Sequence, residues 1–191
     1  MEIIDEQTIK LDRELSELDT LVLDFVHLLE KYTEYVLISG YVAILLGRSR
    51  TTEDVDLFIP RMSKEKFVSF YRDLLQKGFW SVLVDSEDEL YALLGDNLSV
   101  RFARKGTAIP NFEVKFVKDQ LDEFTLREKV TVITRGGNLI ISRLDLQIAY
   151  KRLVLKSSKD LEDARHLQKT FSIPEENINK YQVLFKRYGR L

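Results

Sequence analysis

Asp54 and Asp56 stand two residues apart within Asp54-Val55-Asp56-Leu57-Phe58-Ile59, a run that alternates polar and apolar residues. Residues two apart on a strand share a face. Two carboxylates so placed repel each other and raise one another's pKa unless a cation lies between them. A divalent metal relieves that repulsion, and Mg²⁺ is commonly held by one or two carboxylates together with phosphate oxygens. Upstream, Val36-Leu37-Ile38 runs into Ser39-Gly40, an apolar strand stopping at a small-residue turn that a ligand's phosphate can approach closely. The combination implies a site for a metal-bound nucleoside triphosphate; the alternative is a pair of exposed strand carboxylates beside a turn.

Other residues can join them. Glu113, in Asn111-Phe112-Glu113-Val114-Lys115-Phe116, alternates with Phe112, Val114 and Phe116 and so shares a face with Lys115. It is the candidate third carboxylate of a metal site (Asp54, Asp56, Glu113), or else the partner of an arginine such as Arg101 in a cross-strand ion pair. Lys151 falls close to the apolar stripe Leu144, Ile148, Leu155 of one helix, where a lysine either snorkels or meets an anion. Arg48 and Arg50 precede the Asp pair and could grip phosphate oxygens or face solvent. Lys159, Asp160 and Asp163 open a helix, where acids already favour the macrodipole. Trp80 beside Phe79 reads as core.

The elements that must position these residues follow from periodicity. A helix is expected over Lys10 to Lys31, a strand over Val36 to Ser39, a short helix over Tyr41 to Leu46 and a strand over Val55 to Ile59. Ser63 should cap a helix running to Lys77, with Gly78 just past its end; Phe79 to Val84 reads as a strand, and Ser86 opens a helix ending near Gly95. Strands are expected over Ser99 to Arg104 and Phe112 to Val117, and a hairpin from Val130 to Thr134 and Leu139 to Ile141. Ser142 with Asp145 forms a capping-box pattern for a helix over Arg143 to Lys156, Ser158 caps another over Lys159 to Thr170, and Pro174 starts a last helix reaching Tyr188. This order predicts one α+β domain, with a mixed-sheet core over about 32–141 and a C-terminal helical portion over about 142–191.

Composition narrows the function classes. The chain has 191 residues, 45% hydrophobic and 31% charged, as an ordinary globular domain has. It has no cysteine, which removes disulfides and thiolate metal sites, and two histidines, which makes a histidine-built zinc site improbable. No apolar run approaches the ~20 residues of a bilayer span, and the acidic start Met1-Glu2-Ile3-Ile4-Asp5-Glu6 lacks a secretory pattern; a cytoplasmic location is the expectation. Net charge is −2, yet three basic residues oppose ten acids up to Gly40, and ten oppose five from Lys151 to Leu191. The basic end suits either a polyanion or solvated helix faces.

The Ser39-Gly40 turn, the Arg50-Thr51-Thr52-Glu53-Asp54-Val55-Asp56 lead-in and the acidic strand resemble the first motif of the nucleotidyltransferase superfamily, with Ser in place of the more usual first Gly. Leu144-Asp145-Leu146-Gln147-Ile148-Ala149-Tyr150-Lys151, followed by Lys159-Asp160-Leu161-Glu162-Asp163, resembles the AbiEii/MenT-like branch, which includes toxin halves of toxin–antitoxin pairs. The likeness spans Val36 to Leu167. It implies a nucleotidyltransferase-like mixed sheet with flanking helices and a C-terminal helical extension, Mg²⁺ or Mn²⁺ as cofactor, and an NTP such as ATP as substrate. It also implies transfer of NMP to an acceptor hydroxyl, with tRNA as acceptor and an antitoxin protein as partner. By the same resemblance Asp54 and Asp56 hold the metal, and Glu113 (usually Asp in the superfamily) binds it near the nucleophile. Ser39, Gly40, Arg50, Lys151 and Lys159 would face the phosphates, with Asp160 orienting Lys151. Transfer to an antibiotic or a protein, or an inactive nucleotide- or partner-binding module, are the alternatives.

Overall fold

The computed structural model describes residues 1–191. A nine-stranded mixed sheet forms its centre: β1 (Glu2–Asp5), β2 (Thr8–Lys10), β3 (Val36–Ile38), β4 (Asp54–Ile59), β5 (Phe79–Ser81), β6 (Val100–Arg104), β7 (Asn111–Phe116), β8 (Lys129–Thr134) and β9 (Gly137–Ser142). The spatial order is β1-β2-β8-β9-β3-β4-β7-β6-β5, with β2–β8, β3–β9 and β4–β7 parallel and the rest antiparallel. Helices are α1 (Glu17–Leu29), α2 (Ser39–Leu45), α3 (Lys64–Gln76), α4 (Glu87–Gly95), α5 (Gln120–Arg127), α6 (Leu144–Tyr150), α7 (Ser158–Phe171), α8 (Glu175–Asn179) and α9 (Tyr181–Arg187). The expected mixed sheet with flanking helices is what forms. No helix is long and apolar enough to cross a membrane.

Alternation along the central strands separates core from site. Register pairs Val55 with Phe112, Leu57 with Val114 and Ile59 with Phe116, and all six are buried. Onto this face α1 delivers Phe25, stacked 3.9 Å from Phe112 and edge-on to Phe79 at 5.4 Å. Aromatic pairs of this kind add to the stabilisation from burial itself. The opposite face of the same strands carries Asp54, Asp56, Asn111, Glu113, Lys115 and Arg101. The polar half of the pattern is therefore gathered in one place by strand pairing.

Several local expectations are corrected. The helix foreseen over Lys10–Lys31 begins only at Glu17, where Ser16 and Asp19 complete a capping box; Thr8–Lys10 is instead a strand paired with Thr131–Ile133. The strands at the N-terminus and α5 were not foreseen. Ser142 does not cap α6: Asp145 is taken by Arg143 and Lys180. The single helix expected over Arg143–Lys156 becomes α6 followed by a π-helical turn over Lys151–Leu155, closed by Lys156 at φ 60°. Ser157 rather than Ser158 caps α7, and Pro174 sits at the N-cap of α8, with a second short helix after Lys180. Phe79 is buried as core, but Trp80 is half-buried and donates its indole N–H to Thr107 O (2.8 Å).

Candidate nucleotide site

The parallel β4–β7 register sets Asp54 opposite Asn111 and Asp56 opposite Glu113, while the antiparallel β6–β7 register sets Glu113 opposite Arg101. Directly opposite side chains lie close enough to bond. Asn111 Nδ2 donates to Asp54 Oδ1 (2.8 Å). Arg101 donates through Nε and Nη2 to Glu113 Oε2 (3.0 and 2.8 Å). Lys115, one pleat on from Glu113, places Nζ 2.5 Å from Glu113 Oε1 and 3.4 Å from Asp56 Oδ1.

Charge follows geometry. Burial pushes the Asp56 carboxyl above its usual range and the Glu113 charge adds to this, while Lys115 and the Ser39 side chain pull it back. Glu113 moves the other way: burial disfavours its charge, but hydrogen bonds from Lys115 and Arg101 outweigh that and hold it low. Lys115, itself buried enough to lose some hydration, is raised by the two carboxylates it faces.

A cavity of about 380 Å³ opens beside Asp56. Its lining brings together Ser39, Asp56, Lys115, Gln147 and Lys151, from five different elements. Ser39 holds φ at 66°, a left-handed conformation that costs energy in a residue with a β-carbon. Its N–H donates to Gln147 Oε1 (3.1 Å). Gln147 is only 6% exposed, and its Nε2 has no hydrogen-bond partner in the protein. A buried donor left unpaired is costly, and this one belongs to a side chain on the cavity wall.

Behind the cavity lies an ion cluster. Lys151, 2% exposed, donates to Asp160 Oδ1 (3.1 Å) and Asp163 Oδ2 (3.0 Å). Fully buried Asp163 also accepts from Arg50 Nη1 (3.1 Å), with Arg48 Nε 3.7 Å away. Burying this many charges is tolerable only because each faces an opposite one. The π-helical turn begins at Lys151 itself, a distortion often found where a helix serves a site.

The candidate residues thus divide. Asp56, Ser39 and Lys151 meet at the cavity, and Asp160 does contact Lys151. Asp54 lies on the same face, tied to Asn111, and does not line the cavity. Gly40 is covered by the Arg50 guanidinium rather than open to a ligand, and Arg50 is spent on Asp163. Lys159 is exposed and outside the cavity. The three carboxylates do not fit a metal centre: no group of three such ligands is arranged for one, and both oxygens of Glu113 are already held by cations. Lys115 and Gln147 were missed as site residues. The alternation that placed Glu113 on the polar face placed Lys115 there too, and Gln147 precedes Lys151 by one helical turn, so both signals were present.

No known family model matches the sequence, and no curated protein matches it. Solved structures do. An antigenic nucleotidyltransferase-like protein from Paracoccidioides brasiliensis superposes with a TM-score of 0.53 at 20% identity, over 90% of this chain and 88% of that one. ANT(2″)-Ia in complex with adenylyl-2″-tobramycin gives 0.59 at 14% identity, over 91% and 99%. The solution structure of the antibiotic-resistance factor ANT(2″)-Ia gives 0.55 at 15%, over 90% and 95%. Likeness at such identity speaks for the fold and leaves function to the site. The chain has the mixed-sheet fold of nucleotidyltransferase-like proteins.

Proposed function

We propose that this protein is a nucleotidyltransferase that takes a nucleoside triphosphate into the cavity beside Asp56 and transfers its nucleoside monophosphate to an acceptor hydroxyl. The observation that supports this is the convergence of Ser39, Asp56, Gln147 and Lys151 on one cavity of about 380 Å³ in a fold of this kind. That volume suits a small-molecule ligand. Lys115, Lys118, Lys151 and Arg190 line it beside Asp56 and Asp122; every one of these cations but Lys118 is ion-paired, so N–H groups held in place by carboxylates are what the wall offers a phosphate.

In the reaction the acceptor oxygen bonds to the α-phosphorus, the bond to the bridging oxygen breaks, and pyrophosphate leaves with its charge. The acceptor proton passes to Asp56, whose carboxylate burial makes more basic than an exposed aspartate. Gln147 Nε2 offers a donor to a phosphate or sugar oxygen. Positioning and charge compensation carry most of the catalysis in such transfers. No step is routed through Asp54, Asp56 and Glu113 as a metal triad, because both oxygens of Glu113 are held by Arg101 and Lys115 and Asp54 is tied to Asn111.

The acceptor proposed first is tRNA, the reading carried by the Leu144–Lys151 and Lys159–Asp163 motifs, whose Lys151, Asp160 and Asp163 meet in the ion cluster. A toxin role with an antitoxin partner rests on the same motifs. A small hydroxylic acceptor is the alternative, in line with the tobramycin adduct in ANT(2″)-Ia. A second reading, nucleotide binding without transfer, is favoured by the neutralised Glu113.

Incubation with each α-³²P-labelled NTP, with total RNA, tobramycin or cell extract in Mg²⁺, Mn²⁺ or EDTA, tests these. Label on tRNA, on the small molecule or on a protein identifies the acceptor. Binding without transfer supports the second reading, and absence of both binding and transfer refutes the two together.

A further inference from the structure

A divalent ion at a two-carboxylate strand does two things: it stops the carboxylates from repelling each other, and it presents positive charge to phosphate oxygens. In this protein a side chain already stands where both tasks are done. Lys115 Nζ lies between Glu113 Oε1 and Asp56 Oδ1, at 2.5 and 3.4 Å. Strand pairing builds the position: Lys115 sits opposite Phe58, one pleat beyond the Asp56–Glu113 pair and on the same face. Arg101, on the far side, takes the other oxygen of Glu113.

We infer that Lys115 is a built-in cation replacing the divalent metal, so that the cavity accepts the polyphosphate of a nucleotide with no metal ion. The inference rests on the reading of this cavity as a triphosphate site. An ammonium has three N–H groups; two face the carboxylates, which leaves one for a phosphate oxygen. Lys115 lines the cavity and keeps a third of its side chain exposed (34%), so that proton can reach a ligand. A metal entering the row would have to displace an ammonium that is tethered there and would still repel it from nearby. Asp54, the remaining carboxylate of the row, is turned to Asn111 and does not line the cavity. Lys118 lines the same cavity and is in no ion pair, so it gives a phosphate a second ammonium without a metal.

The test uses the intact chain and two independent readouts. Titration with Mn²⁺ alone, followed by electron paramagnetic resonance, should show no bound ion in the wild type up to about millimolar metal, whereas Lys115→Met should gain a site at least about tenfold tighter. Lys115→Arg, which keeps the charge, should gain none. Calorimetric binding of ATP to the wild type should change by less than about threefold between EDTA and Mg²⁺, and Lys115→Met should lose about tenfold in EDTA. A wild-type Mn²⁺ site that disappears in Asp56→Asn, or ATP binding that requires Mg²⁺, overturns the inference and leaves nucleotidyl transfer standing. If ATP binds in neither buffer, the proposed function fails, while the Mn²⁺ titration of the wild type still decides the role of Lys115 and needs no variant to fold.

Discussion

A β-carbon built on Gly40 would stand 2.2 Å from Arg50 Nη2, so the glycine is what lets the guanidinium lie across the first turn of α2. Arg50 is not free to yield, because it is hydrogen-bonded to fully buried Asp163. The turn that looked like a cradle for phosphate is filled from behind by the protein's own cation. Gly40→Ala should therefore cost about 1–3 kcal/mol by pushing Arg50 off a buried carboxylate. Urea denaturation checks this, and a cycle with Arg50→Ala should show the two costs to be well short of additive.

Asp163 is the anchor of the cluster, bonded to Lys151 and Arg50. Asp163→Ala leaves a buried ammonium with only Asp160 and should destabilise by about 3–5 kcal/mol. Asp160→Ala, at a more exposed position, should cost clearly less. Thermal and urea unfolding of both variants separate the two.

Asp54 and Asp56 look equivalent in the chain and are not equivalent in space. Asp56→Asn should lower nucleotidyl transfer by about 10²-fold or more through loss of the base, with little change in nucleotide affinity. Asp54→Asn should lower it by no more than about tenfold, since its tie to Asn111 holds strands together and it does not line the cavity. Rate and nucleotide Kd measured for each variant decide the matter; equal losses would count against the assignment of roles.

Asp145 governs part of the acid response. Burial opposes its charge, but bonds from Arg143 and Lys180 hold its pKa below the ordinary carboxylate value. A depressed folded pKa means that its stabilisation is complete above the unfolded value of about 3.9 and is lost as pH falls through the folded one. Unfolding midpoints should therefore drop steeply below about pH 4. Asp145→Asn should be less stable than wild type at pH 7 and should show a shallower fall at low pH.

Gln147 is a donor waiting for an acceptor. Gln147→Leu removes an unpaired buried group but also the acceptor of the Ser39 N–H. Nucleotide affinity should fall by about tenfold, as for the loss of one good hydrogen bond, while Gln147→Glu, keeping the acceptor for Ser39 and removing the donor, should be worse for a polyanion. Calorimetry with ATP reads both.

The sequence by itself determined the strands and helices whose signals are local. Alternation in Asp54–Ile59 and Asn111–Phe116 sorts an apolar face from a polar one whatever the partner strand is, and Ser63, Ser86 and Gly78 mark helix ends through their own backbone chemistry. It also brought Asp56, Ser39, Lys151 and Asp160 to attention by residue type and spacing. It could not show that Thr8–Lys10 leaves its helical-looking context to pair with β8, because that choice depends on Thr131–Ile133, far along the chain, offering hydrogen bonds. Nor could it show which cation each acid would meet. Glu113 had an arginine and a lysine as possible partners and a metal as a third, and only the β4–β7 and β6–β7 registers made the distances to Arg101 and Lys115 short. Register is a property of paired strands, and electrostatic role depends on separations of a few ångströms, so the chemistry of this face was decided where the strands came together.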